Sequence, residues 1–371
     1  MIMDGRSTGN GPHIDGLRAA VYRIPTDRPE SDGTLQWDAT TMVAVHVRAG
    51  GREGFGYSYT DAGAAQVVMG TLAPVVQGLD ALDVPRAWSA MKAAIRNLGR
   101  SGIAAMAVAA VDAALWDLKA RLLDLPLVTL LGRSRDAVEV YGSGGFTSYD
   151  DQELRDQLGG WAADGIGRVK MKIGRDAARD PERIRAARDA IGANTGLFVD
   201  ANGGYGRKLA LAMADVLAEY GVTWYEEPVS QHDETGLRFI RERVPAAIEV
   251  TAGEYGFVPD DFQRLLAAGS VDVLMADATR CGLTGLMEAA ALCTAYHCPL
   301  SAHCAPALHL HPCCALAPVR HIEYFHDHVR IERMLLDGIS TPVQGKLIPD
   351  LSRPGHGLAL KESDARPFAL S

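Results

Sequence analysis

Apolar positions along this chain change period twice. Near the start, Leu17–Ile24, Thr40–Arg48 and Gly54–Tyr59 are apolar or β-branched runs separated by turn-rich stretches at Pro25–Gly33 and Ala49–Glu53, and they predict three strands. From Ala64 the pattern becomes helical. Within the alanine-rich Met106–Leu123, the residues Val108, Val111, Leu115, Leu118 and Leu122 recur every three to four positions, the signature of a buried helix face. Together these elements predict an α+β unit over residues 1–132.

After Arg135 the texture shifts again. Short apolar runs at Val138–Gly142, Arg168–Ile173, Gly196–Asp200, Thr223–Glu226, Ile248–Ala252, Val271–Ala276, Pro299–Ala302 and His321–Phe325 predict strands. Amphipathic stretches such as Asp151–Ala163, Pro181–Ile191, Lys208–Tyr220 and Leu283–Tyr296 predict helices between them. Strands alternating with helices in this way predict an α/β fold, a parallel (β/α) barrel over residues 133–330, with residues 331–371 packing back on the first unit. Ala305–Arg320 is weak as a helix, so the last crossover is predicted to be irregular.

Composition narrows the functional classes. A chain of 371 residues suits two domains or one barrel with an addition, and 47% hydrophobic residues supply a large core. No apolar run approaches the roughly 20 residues of a membrane span. Met1–His13 lacks the basic-then-apolar pattern of a leader, so a cytoplasmic protein is expected. A net charge of −9 without a basic stripe argues against nucleic acid. It also means that an anionic substrate would need a local positive centre. Lysine is scarce, seven against thirty arginines, yet Lys170 and Lys172 stand two residues apart. The six cysteines all lie between Cys281 and Cys314 with no C-x-x-C pair, which predicts buried thiols rather than a zinc site.

Barrels of this kind gather their chemistry at the C-terminal ends of the strands. Here those ends carry Lys170 and Lys172, Asp200 and Asn202, Glu226, Glu254, Asp277, His303 and Glu323. A single acid at such a place is more often a solvated loop residue. Three of them, Asp200, Glu226 and Glu254, in register on consecutive strands would repel one another unless a hard divalent cation lay between them, and all-oxygen ligation suits magnesium. Lys170 and Lys172 alternate along a strand and so share a face. A lysine beside a cation is pushed toward its neutral form and becomes a candidate general base. Asp277 beside His303 would fix the imidazole tautomer, although His297, His309 and His311 nearby make a structural histidine the plainer alternative. Glu323 would accept a hydrogen bond from substrate or, if protonated, donate one.

These residues together resemble the mandelate racemase subgroup of the enolase superfamily. The resemblance rests on Ala110–Gly132, VKMKIG at Val169–Gly174, VDANGGY at Val199–Tyr205, WYEEP at Trp224–Pro228, AGE at Ala252–Glu254, the acid Asp277 and SAH at Ser301–His303. It implies a capping α+β domain on a modified (β/α)₇β barrel, with Mg2+ held by Asp200, Glu226 and Glu254. It further implies Lys172 as one base with Lys170 beside it near the substrate carboxylate, His303 paired with Asp277 on the opposite face, and Glu323 as the eighth-strand carboxylate. The family's paired glycines after the sixth strand are reduced to one in Thr279-Arg280-Cys281-Gly282, which leaves Arg280 without an assigned role.

The resemblance implies a small carboxylate substrate, a homo-oligomer, and removal of an α-proton to give an enediolate. Loss of a β-hydroxyl then makes an acid-sugar dehydratase; return of the proton to the other face makes a racemase or epimerase. A cycloisomerase is disfavoured, because that subgroup places a lysine where Asp277 stands. A barrel that only binds ligand is the non-enzymatic alternative. The capping loops Thr26–Trp37 and Phe55–Tyr59 are expected to set specificity, with Arg28, Trp37 and Tyr57, together with Asn202, as candidate substrate contacts.

Overall fold

The computed structural model describes residues 11–370; residues 1–10, most of the stretch read above for a leader, and residue 371 lie outside the described residues. Three antiparallel strands, β1 (Ile14–Ser31), β2 (Gln36–Ala49) and β3 (Arg52–Tyr59), form the first sheet in that order. After short helical turns between Gly63 and Val76 come the longer helices α1 (Val84–Ala94) and α2 (Ile103–Leu122). Val43, Val45 and Val47 of the sheet pack with Val108, Val111, Leu115 and Leu118 of α2 in one apolar cluster, so the 3.6-residue period of α2 is spent on covering the sheet.

The stretch Pro25–Gly33, expected as a turn, belongs largely to β1. Pairing with β2 continues to Pro25↔Ala39, slips, and resumes at Glu30↔Trp37. Two prolines are tolerated because β1 is an edge strand, where a missing N–H leaves no ladder partner wanting. The tip of this hairpin reaches the barrel: a Cβ on Gly33 would lie 2.4 Å from the Ala201 carbonyl oxygen and 2.8 Å from that of Ile173. Only glycine permits so close a backbone approach.

Eight parallel strands form the barrel: β4 (Val138–Gly144), β5 (Arg168–Lys172), β6 (Gly196–Asp200), β7 (Val222–Glu226), β8 (Glu249–Ala252), β9 (Val273–Ala276), β10 (Leu300–Ala302) and β11 (Val319–Phe325). They lie side by side in sequence order, and β11 pairs with β4 to close the ring. The connecting helices are α3 (Asp151–Ala163), α4 (Asp180–Ile191), α5 (Arg207–Glu219), α6 (Glu234–Arg241), α7 (Pro259–Ala267), α8 (Ala278–Ala295) and α9 (Pro306–Ala315). Helix α9 corrects the expectation of an irregular last crossover. Pro306 stands at its first turn, where a missing N–H costs nothing, while Pro312 lies inside the helix and removes one of its bonds.

Strand alternation divides the barrel. Val169, Met171, Leu197, Val199, Val250 and Leu274 point outward into the main core. Inside, Tyr141, Phe198, Trp224, Val273 and Met275 make an apolar floor, with Phe198 stacked on Trp224 at 5.0 Å between centroids. The functional side chains stand on this floor. Helix α10 (His326–Leu335) follows β11, and the tail returns to the cap, where Leu370 N–H donates to the Val21 carbonyl. No helix among the described residues is long and apolar enough to cross a membrane.

Candidate active site

The inward positions one step above the floor are charged. Asp200, Glu226 and Glu254 each offer a carboxylate oxygen within 4.8 Å of the other two, and all three are buried. Lys170, fully buried, donates to Glu226 Oε1 and Oε2 at 2.8 and 2.7 Å and lies 2.7 Å from Glu323 Oε1. The floor joins in: Trp224 Nε1 donates to Glu226 Oε2 at 2.8 Å, and Lys170 Nζ sits 5.4 Å above the Tyr141 ring. Lys172 Nζ donates to Asp200 Oδ2 at 2.5 Å. Burial works against the charge on both lysines, but the surrounding acids, Glu226 and Glu323 for Lys170 and Asp200 for Lys172, hold both above the ordinary range.

Across the acids stands His303. Its Nδ1 lies 2.9 Å from Asp277 Oδ2, and its Nε2 is 3.1 Å from Glu254 Oε2. Burial opposes protonation, yet Cys304, Glu254, Glu323 and the Asp277 hydrogen bond outweigh it and hold the imidazole well above its ordinary value. Burial likewise opposes charge on Asp277, but the hydrogen bond and charge of His303, with Arg280, bring it down to about 2. Asp277 Oδ1 also accepts from Thr279 N–H and Oγ1–H, both at 2.7 Å, and caps α8.

Glu323 is fully engaged. Oε1 accepts from Ser143 Oγ at 2.6 Å and Oε2 from the Cys304 N–H at 3.0 Å. Burial raises this group, but Lys170 and His303 lower it further, well below the usual carboxylate range. In this arrangement both of its oxygens accept hydrogen bonds.

Of the four candidate substrate contacts, two reach the site's surroundings. Asn202 has a left-handed backbone (φ +46°), gives its N–H to Asp200 Oδ1 at 2.9 Å, and keeps a buried Oδ1 without a partner. Trp37, half-buried, packs edge-to-face on Phe146 in a cluster that contains Cys304. The other two are engaged elsewhere in the protein. Arg28 is half-exposed and pairs with Glu153 of α3. Tyr57 is buried in the cap and donates its hydroxyl to Glu332 Oε1 at 2.6 Å, so that hydroxyl is already committed.

Three site residues were not assigned from sequence. Glu227 is buried with an unpartnered Oε1. Arg280 donates to the Glu254 carbonyl at 2.9 Å, lies 3.7 Å from Asp277 Oδ2, and stacks 4.4 Å over Tyr255. Cys304, expected as a plain buried thiol, places Sγ 3.3 Å from His303 Nε2. The second acid of WYEEP is a visible signal for Glu227 and the reduced glycine pair one for Arg280; nothing local marks Cys304. The missing glycine has a structural counterpart as well. Gly282 (φ +78°) interrupts α8, and a Cβ there would lie 2.9 Å from Asp112 Oδ2, the oxygen that accepts the Thr284 N–H.

The donor set fits a divalent cation. Six carboxyl groups (Asp200, Glu226, Glu227, Glu254, Asp277 and Glu323) face three permanent cations (Lys170, Lys172 and Arg280) and His303. With the imidazole and all six acids charged, the formal excess would be two negative charges; burial and this mutual repulsion hold Glu226 and Glu227 well above the usual carboxylate range. Buried oxygens of Asn202 and Glu227 also lack hydrogen-bond donors. A dication with its waters answers both deficits.

Residues 153–364 match the family described as enolase C-terminal domain-like, and residues 22–132 match the mandelate racemase/muconate lactonizing enzyme N-terminal domain. The chain belongs to the mandelate racemase/muconate lactonizing enzyme family of the enolase superfamily. Within that family, L-talarate/galactarate dehydratase of Salmonella typhimurium is 30% identical, the match covering 88% of this chain and 86% of the relative. A structure of that enzyme with Mg and L-lyxarohydroxamate has a TM-score of 0.90 at 26% identity, covering 100% of this chain and 97% of the other. The 3,6-anhydro-α-L-galactonate cycloisomerase of Streptomyces coelicolor is 31% identical over 94% of this chain and 97% of its own length. A mandelate racemase/muconate lactonizing enzyme-like protein from Rubrobacter xylanophilus is 53% identical with a TM-score of 0.95, covering 97% of this chain and 100% of the other.

Proposed function

We propose that this chain is a magnesium-dependent acid-sugar dehydratase, with residues 1–132 as the cap, 133–330 as the catalytic barrel and 331–371 as a tail that ties the two together. The observation that carries the reading is the arrangement of Asp200, Glu226 and Glu254 between Lys172 on one flank and the His303–Asp277 pair on the other. Related chains acting on acid sugars support the substrate class.

Asp200, Glu226 and Glu254 would hold Mg2+. When bound, the ion supplies positive charge to the substrate carboxylate, where negative charge grows as the α-proton leaves. Lys170, buried among Glu226, Glu323 and Asp200, keeps further positive charge beneath that point. With Asp200 engaged by the ion, Lys172 would lose the partner that holds its proton, and its neutral Nζ would take the α-proton from one face. His303, held as an imidazolium by Asp277 and Glu254, gives the Nε2 proton to the departing β-hydroxyl, which leaves as water. The resulting enol tautomerises to a 2-keto-3-deoxy acid.

A second reading has its own support. The Streptomyces cycloisomerase matches as well as the Salmonella dehydratase, so the comparisons lend no weight to the expectation from Asp277 against ring chemistry. A stereochemically complete acid-sugar library, with lactone and anhydro members, incubated with Mg2+ separates the readings. Dehydration yields a semicarbazide-reactive product lighter by one water; cycloisomerisation yields an isomer of unchanged mass. Absence of α-proton exchange into deuterated water with every member would contradict both and leave a binding barrel.

A further inference from the structure

Away from the catalytic acids, where the cap hairpin meets the end of the eighth barrel strand, Asp27, Glu30 and His326 each present a ligand atom within 4.8 Å of the other two. Asp27 and Glu30 come from β1 and His326 from the start of α10, so the group bridges cap and barrel. His326 Nε2 already lies 3.0 Å from Asp27 Oδ2.

Glu30 is the observation that points to a ligand. It is 0% exposed, and its Oε1 has no hydrogen-bond partner. Its Oε2 accepts only the Trp37 Nε1–H at 2.8 Å. Among the described residues no basic group lies within ion-pair distance of it. The nearby Arg330 is committed to Asp327 and to the Pro25 carbonyl. A buried carboxyl without an ionic partner is costly as a carboxylate and keeps its proton, as burial here dictates, unless a cation coordinates it. Asp27 and His326 are partly exposed and line a cleft of about 740 Å³, which gives an ion a route in from solvent.

We infer that Asp27, Glu30 and His326 form a second metal site, for a borderline divalent cation of zinc's class, that staples the cap hairpin to the barrel. One imidazole and two carboxylates with room for water match zinc's ligand preferences better than magnesium's. Bond lengths of about 2.0–2.2 Å require Asp27 and His326, already 3.0 Å apart, to shift together toward the buried Glu30, a movement open to two partly exposed side chains. Glu30 also holds Trp37, which packs on Phe146 beside Cys304, so occupancy would fix the wall next to His303.

The test is metal counting on the full chain in excess Mg2+, by equilibrium dialysis against Zn2+ and by the visible absorption of bound Co2+. Wild type should take up one Zn2+ beyond the catalytic site. Asp27→Asn and His326→Asn lie at partly exposed positions, and each should weaken that uptake at least about tenfold, as should Glu30→Gln. An Asp200→Asn/Glu254→Gln double variant should keep the uptake and the Co2+ spectrum, which separates this site from the catalytic one. Cys298→Ser, which removes the least buried thiol, should also keep it. Equal Zn2+ uptake by wild type and His326→Asn would overturn the inference, and so would loss of the uptake in the double or the thiol variant.

Discussion

The two flanks of the acid cluster are built differently. The lysine flank rests on strand alternation: Lys170 and Lys172 are placed by β5, and their partners Asp200, Glu226 and Glu323 by β6, β7 and β11 of the same barrel. The histidine flank stands just beyond β10, where Cys304 and Ala305 take left-handed backbone, and it is held by helices. His309 of α9 accepts the Ala278 N–H at 2.9 Å, and its Nδ1 lies 2.9 Å from the Cys304 carbonyl, joining the two strand ends that carry Asp277 and His303. The cap acts here as well: Ser58 donates to the Thr279 carbonyl at 2.6 Å, and Asp112 accepts from Thr284 N and Oγ1. An ammonium needs only neighbouring charge, whereas an imidazole needs a fixed tautomer and direction. The lysine side takes its charge partners from the barrel, with the cap tip at Gly33 packed only on the backbone beyond it, whereas the histidine side takes side-chain hydrogen bonds from the cap.

Separating the flanks gives the largest expected effects. Lys172→Ala should lower α-proton exchange from one stereoisomer by about 10²–10⁴-fold, the range for a lost general base, as read by proton NMR in deuterated water. His303→Asn should lower dehydration by a similar factor of about 10²–10⁴ while exchange at Lys172 continues. If both variants lose exchange equally, the flanks do not act separately.

Cap variants sharpen the contrast at smaller magnitude. Asp112→Ala leaves the buried Thr284 N–H without its acceptor and should lower stability by about 1–3 kcal/mol in urea denaturation. In the surviving folded fraction, dehydration should fall more than exchange; the reverse order would contradict a cap-dependent histidine side.

Glu332 gives the smallest effect. Burial raises this acid to about 8, against the opposing hydrogen bonds from Tyr57 and the Ala307 N–H. A folded-state value above the unfolded one means that the folded protein keeps a proton which the unfolded chain releases. Its contribution is therefore present at low pH and is lost as pH rises toward about 8. Glu332→Gln should flatten the fall of Tm across that window, and an unchanged slope would refute the assignment.

The same division explains what was legible in the sequence. Period-two alternation fixes which side chains face inward, so Lys172, Asp200, Glu226 and Glu323 could be read from strand ends. The supports of the histidine flank come from contacts distant in sequence, such as Asp112 with Thr284, which carry no local pattern. Hairpin β1–β2 was obscured by Pro25 and Pro29, because tolerance of proline depends on edge position, which only the assembled sheet defines. Arg28 and Tyr57 fell on the expected capping loops, but which way a loop side chain turns is decided by partners such as Glu153 and Glu332.

Calorimetric titration of Mg2+ into wild type, Asp200→Asn, Glu226→Gln and Glu254→Gln tests the central geometry most directly. One ion should bind wild type, and each substitution should weaken it at least about tenfold, a loss of about 1.4 kcal/mol or more. Undiminished Mg2+ affinity in any of the three variants would contradict that acid's place around the ion.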